Sequence, residues 1–165
     1  MQIRLLATRA LAAGMIAAVI GCDSSSNSKP ADPKTTTTAP QSAAKPTRIE
    51  WVKDLDTAKT LAKQSGKLIM IDVFTTWCGP CKMLDQRTFP DPRVIAAAGR
   101  VVPLKSNGEL EGRSLVSNYS IRGYPAILFV DANGKLHGMV MGYQPPDVLA
   151  PQITKFADDF ARSRS

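Results

Sequence analysis

From about residue 48 onward, apolar positions fall into a succession of helical and extended patterns, whereas the preceding stretch has almost nothing to bury. A short apolar segment around Trp51 reads as a first strand. Between Asp54 and Gly66, Leu55, Ala58, Leu61 and Ala62 recur at helical spacing, which predicts a helix stopped by Gly66. Leu68 to Phe74 is a nearly continuous apolar run, β-branched in part, of the length expected for a strand buried on both faces. A helical stretch is expected to start at the turn around Cys78 and run through Met83 and Leu84 towards Phe89, and Asp91-Pro92 caps a short helix ending near Gly99. Val101 to Leu104 reads as another strand, which Pro103 assigns to an edge or bulge. Leu110, Leu115, Val116 and Tyr119 suggest a helix interrupted by Gly112. Two strands, Ala126 to Asp131 and Lys135 to Met141, flank an Asn133-Gly134 pair that signals a tight hairpin turn. Pro145-Pro146 opens a last helix carrying Val148, Leu149, Ile153, Phe156 and Phe160. The resulting order, β-α-β-α-β-α-β-β-α, is an α/β fold with a mixed sheet flanked by helices.

Ahead of residue 48 the pattern is different. Arg4 and Arg9 precede an uncharged run from Ala10 to Ile20, too short to span a bilayer but suited to the centre of a secretory signal over residues 1–21. From Asp23 to Thr47 there is no aliphatic side chain larger than alanine and no aromatic, only small and polar residues with four prolines, so residues 22–47 read as a tether with no core of its own. Its r.m.s. reach is roughly 25–30 Å. Residues 48–165 remain for one folded domain, in keeping with a chain of 165 residues that is 44% hydrophobic and 21% charged.

Charge adds little once it is located. Of the net +7, the expected signal holds +2, the tether +1 and the folded part +4, with no basic run, so nucleic acid is not an expected partner. The cysteines change the picture more. Three is an odd number, and His137 is the one histidine, which leaves too few soft ligands for a zinc site, so no metal is expected.

Cys78 and Cys81 are three residues apart at an expected helix start, close to the separation a disulfide requires. Backbone N–H groups and the helix dipole there favour the Cys78 thiolate, which makes Cys78 the expected nucleophile and Cys81, one turn deeper, the resolving thiol. Gly79 leaves the sulfur approachable, Pro80 fixes the turn, and Trp77 supplies a flat apolar neighbour. A static disulfide or a two-thiolate metal site would use the same spacing. Asp72, inside the apolar strand, is costly to bury without a partner or a proton, and it reads either as a proton carrier or as a partner to a backbone donor. Pro125 begins an apolar strand, a position that by itself asks for nothing more.

Trp77-Cys78-Gly79-Pro80-Cys81-Lys82, with the order of strands, helix and hairpin, resembles the active-site motif and fold of the thioredoxin family over about residues 48–162. The resemblance implies a thioredoxin fold and a redox-active Cys78–Cys81 disulfide with no cofactor beyond the dithiol. It implies that Asp72 helps to deprotonate Cys81. It also implies that Pro125, in Gly123-Tyr124-Pro125, is a cis-proline facing the sulfurs where client protein binds. Tyr124 is bulkier than the residue many thioredoxins carry there and is similar to the Gly-Tyr-Pro of protein disulfide isomerases. The strand lysine that accompanies the aspartate in thioredoxins has no clear match, since Pro103 takes its expected place and Lys105 is offset, so proton handling is expected to differ.

Val19-Ile20-Gly21-Cys22 resembles the lipobox of bacterial lipoproteins, which implies lipidation at Cys22 after cleavage, and Asp23 points to retention at the inner membrane by the enteric rule. Signal and anchor together suggest an envelope member facing the periplasm, similar to the soluble C-terminal domain of the disulfide reductases of the DsbD type. The expected activity is thiol:disulfide oxidoreduction in the reducing direction, which Gly79-Pro80 favours by resemblance. Expected partners are disulfide-containing envelope proteins and a membrane electron donor of the DsbD type. An oxidase or isomerase on the same scaffold, or an adaptor that binds clients without catalysis, are the alternatives.

Overall fold

A computed structural model describes residues 46–165; the expected signal segment, Cys22 and nearly all of the expected tether lie outside the described residues. The described chain builds a four-stranded sheet in the order β2-β1-β3-β4, from β1 (Ile69–Phe74), β2 (Val102–Asn107), β3 (Ala126–Val130) and β4 (Leu136–Met141). β1 runs parallel to β2 and antiparallel to β3, which continues antiparallel to β4. The sheet is therefore mixed, as expected. The first strand of the predicted order shrinks to a single parallel bridge between Val52 and Leu104. Val52 is followed after one residue by Asp54, which caps α1, so the ladder ends at this bridge.

Five α-helices surround the sheet: α1 (Leu55–Ser65), α2 (Gly79–Met83), α3 (Pro92–Ala98), α4 (Arg113–Asn118) and α5 (Pro146–Ser163). Asp54 caps α1 by accepting from the Thr57 N–H at 2.7 Å, and Gly66, at φ +66°, ends it in the left-handed conformation that only glycine adopts freely. Ala58 and Ala62 form its buried stripe, whereas Leu61 turns outward.

Strand alternation divides the core in two. Ile69, Ile71 and Val73 of β1 join Leu104, Ala126 and Leu128 beneath α1 and α4. Met70, with Ile127 and Phe129, packs beneath α3 and α5, where Phe129 stacks on Phe156 at 4.5 Å. Asp72 has the same parity as Met70, so it lies on the α3/α5 face of a strand whose apolar members are fully buried.

Pro103 is indeed on an edge strand. Its carbonyl accepts from Val52 N–H at 2.8 Å and Lys105 N–H donates to Val52 O, so the missing proline donor points away from β1 and costs no bond to it. Three other expectations are corrected. The helix after Cys78 is α-helical only to Met83; Leu84–Thr88 widens into a π turn, in which Phe89 N–H donates to Leu84 O. The helix expected around Gly112 starts after it: Leu110 lies in an exposed turn, and Gly112 caps α4 where a side chain would strike Asn107 O at 2.7 Å. The hairpin turn is longer than the Asn-Gly pair predicts, because the Asp131 carboxylate accepts from both Asn133 N and Lys135 N and organises a five-residue loop, with Gly134 at φ +87°.

Candidate active site

β1 leads directly into the cysteine turn. Cys78 is the N-cap of α2, with extended backbone, and Pro80 occupies the first turn, where a missing N–H deprives the helix of nothing. Cys78 and Cys81 are joined as a disulfide, with Cα atoms 5.3 Å apart. Cys81 N–H donates to Cys78 Sγ at 3.1 Å, so the amide that would cap the helix is aimed at the sulfur. Both cysteines are buried to a similar degree, so exposure does not distinguish them, whereas the Cys81 amide is directed at Cys78 Sγ. Gly79, Pro80 and Lys82 are exposed around them.

Asp72 is 2% exposed. Burial raises its pKa to about 7, against which the nearby Lys105 charge works and to which Asp85 adds. Lys105 stands directly opposite Asp72 in the β1–β2 register, with Nζ 3.5 Å from Oδ2. This overturns the expectation that Lys105 is offset and that the aspartate has no lysine partner. Parallel pairing starts at Ile69 with Val102, so Pro103 falls opposite Met70 and Lys105 opposite Asp72. Lys105 also pairs with Asp85 of the π turn and lies 5.1–5.6 Å from the ring centres of Trp51, Phe74 and Phe89. Asp72 Oδ1 has no hydrogen-bond partner among the described residues, consistent with a carboxyl that holds a proton near neutrality.

The third wall comes from the loop before β3. The Tyr124–Pro125 peptide is cis, as the resemblance implied, and Pro125 is buried at the start of β3 with its carbonyl accepting from Gly142 N–H at 2.8 Å. Tyr124 meets Trp77 edge to face, ring centres 6.1 Å apart, so the cysteine turn and the cis-proline loop touch through these two side chains. Trp77 is 65% exposed, and its Nε1–H donates to Glu109 Oε1 at 3.0 Å. Gly123 adjoins this loop and is half-buried. The structure thus brings Trp77, Cys78, Cys81, Tyr124 and Pro125 to the C-terminal end of β1, with Asp72 inside the same strand. Cys22 lies outside the described residues.

Asp85, Gly108 and Glu109 also border the site, unexpected from the sequence, together with Lys105, which was expected to be offset. Counting the parallel register from the first apolar residue of each strand would have found Lys105. The other three have no local signal, since a π turn and a loop position them.

Residues 55–157 match the family model described as a thioredoxin-like domain. A thiol:disulfide interchange protein DsbD of Ralstonia nicotianae is 37% identical over 90 residues, 53% of this chain, and one of Escherichia coli K12 is 34% identical over 112 residues, 65% of this chain. Those matches span only 15% and 20% of the two relatives. Among solved structures, a Bacteroides thetaiotaomicron protein described as a candidate disulphide-isomerase aligns with a TM-score of 0.57 and 31% identity, over 74% of this chain and 100% of that one. The cysteine turn, the buried aspartate and the cis-proline sit on a four-stranded mixed sheet within the matched residues 55–157, and the chain belongs to the thioredoxin-like family.

Proposed function

We propose that this chain is a thiol:disulfide oxidoreductase of the bacterial cell envelope, anchored to the membrane through Cys22 and working in the reducing direction. The observation that carries the chemistry is the Cys81 amide aimed at Cys78 Sγ at the first turn of α2, a contact that favours a thiolate on Cys78 over one on Cys81. In the dithiol state, the Cys78 thiolate attacks one sulfur of a client disulfide; a mixed disulfide forms and the other client sulfur leaves as a thiolate that takes up a proton. Cys81, giving its proton to Asp72, attacks Cys78 Sγ, releases the second client thiol and closes the Cys78–Cys81 disulfide. Two electrons have passed to the client, and a donor of the DsbD type returns them.

A pKa of about 7 suits Asp72 to accept and return a proton near neutral pH. The cis-proline loop supports client binding: Pro125 precedes Ala126, which pairs with Val73 near the C-terminal end of β1, so the Tyr124 backbone is available beside an extended client segment. Gly79-Pro80 supports the reducing direction by resemblance, and the similarity to thiol:disulfide interchange proteins supports the exchange itself. A second reading, isomerisation, draws support from Tyr124 and from the description of the Bacteroides relative.

Replacing Cys81 with Ala removes the resolving thiol, so client proteins are expected to accumulate on Cys78 as mixed disulfides visible on non-reducing gels. No trapped species, together with retained function in a Cys78→Ala, Cys81→Ala double variant, would leave a non-catalytic adaptor. A strongly oxidising midpoint potential with no reduction of insulin would reverse the direction.

A further inference from the structure

Two residues that the exchange chemistry does not use hold the aromatic side chains beside the disulfide. Gly108 is buried under the phenol of Tyr124: a Cβ there would stand 2.6 Å from both Cε1 and the hydroxyl oxygen. Glu109, next in the chain, accepts from Trp77 Nε1–H at 3.0 Å. One loop after β2 therefore reaches both the cysteine turn and the cis-proline loop, and Trp77 and Tyr124 meet each other edge to face.

The loop is itself fixed. Gly108 N–H donates to Phe74 O, the last residue of β1, at 2.8 Å; Asn107 Oδ1 accepts from Glu109 N–H at 2.9 Å; and Glu111 Oε1 accepts from Asn107 N–H at 2.5 Å. An indole as exposed as Trp77 would otherwise sample several rotamers and lose that freedom when a client docks. Here the loss is incurred on folding. The absence of a side chain at Gly108 is what admits the phenol, and the Glu109 carboxylate is what turns the indole towards it.

We infer that Gly108 and Glu109 are positioning residues for client recognition: they set Trp77 and Tyr124 as a preorganised aromatic wall beside the disulfide, suited to protein clients whose disulfide lies in an extended segment with an apolar side chain next to the cysteine. This rests on the proposed exchange at Cys78 and Cys81. The wall favours large clients over small disulfides, because a small disulfide reaches the sulfur without lying along it.

The test compares prereduced full-length protein acting on insulin and on bis(hydroxyethyl) disulfide. Gly108→Ala is expected to raise the insulin KM about three- to tenfold, the range set by one aromatic contact, with kcat little changed. The insulin-to-small-disulfide ratio of kcat/KM falls by the same factor. The atoms a new methyl meets are the far end of a movable ring, so the ring shifts and the loop stays. In a Tyr124→Ala background, where that ring is gone, Gly108→Ala is expected to add nothing. Glu109→Ala should follow Gly108→Ala, whereas Glu109→Gln, which keeps an acceptor oxygen, should stay near wild type; Glu109 is exposed, so these two variants fold regardless. Equal losses on both substrates, additive effects in the double variant, or an unmoved ratio overturn the inference while leaving the exchange reading intact. A wild-type protein that reduces neither substrate overturns both.

Discussion

Asp72 carries opposite consequences for stability and for chemistry. In an unfolded chain its carboxyl titrates near 3.8, whereas in the fold its pKa is about 7. Between those values the folded state binds the extra proton, so stability falls as pH rises through the window and levels off above about 7. The shift is about three pKa units, which sets an upper bound of about 4 kcal/mol on the loss. Asp72→Asn, neutral at every pH, is therefore expected to be more stable than wild type at pH 8, by about 2–4 kcal/mol, and to show a flatter stability profile between pH 4 and 7 in urea titrations. A variant less stable than wild type at pH 8 would mean that the Lys105 pair outweighs desolvation. Asp72 was legible in the sequence because a charge inside Leu68–Phe74 stands out. The Lys105 pairing is carried by no local pattern: it follows from the register of β1 on β2, in which Pro103 falls opposite Met70 and Lys105 opposite Asp72.

The elements show the same division between what local pattern carries and what tertiary contact decides. Apolar patterning located α1 and β1, and cap and turn residues, Asp91-Pro92, Asn133-Gly134 and Pro145-Pro146, helped to locate α3, the β3–β4 hairpin and α5, since each of these signals lies within or beside its own element. The π turn at Leu84–Thr88 needs a longer view: it is the segment that brings Asp85 to Lys105, and nothing in its composition distinguishes it from an α-helix. The late start of α4 and the five-residue hairpin loop likewise follow from bonds to Asn107 O and the Asp131 carboxylate rather than from propensity. A similar contact controls how α5 docks. Gly138 in β4 lies under Phe156, which is stacked on Phe129, and a Cβ at Gly138 would collide with that ring. Phe156 is partly buried and stacked on the fully buried Phe129, whereas Tyr124 meets an exposed indole, so Phe156 has less freedom to yield than Tyr124 does over Gly108. Gly138→Ala is accordingly expected to destabilise the domain by about 1–3 kcal/mol, read as a lower urea midpoint with an unchanged slope. An unmoved midpoint would show that α5 can slide without cost.

On the scale of the whole molecule, the sheet separates attachment from chemistry. Pro46 and Arg48 line a shallow depression with Gly99 and Val101, at the N-terminal end of β2, and Val52 pairs in parallel with Leu104 further along. Cys78 follows the C-terminal end of β1, and β1 and β2 run in the same direction. The described chain thus begins at one pole of the sheet and carries its disulfide at the other, a strand of six residues, about 20 Å, away. If residues 22–47 tether the domain to lipid at Cys22, the tether joins the domain at the pole opposite the cysteines and the Trp77–Tyr124 wall. Among the described residues no helix is long and apolar enough to cross a membrane, and the proposed anchor, Cys22, lies outside them. Cys22→Ala is expected to move the protein from the membrane to the soluble fraction of envelope extracts, while insulin reduction by the purified protein is retained because the disulfide lies at the far pole. Membrane association that persists in Cys22→Ala after signal cleavage would count against the anchor and leave the exchange chemistry untouched.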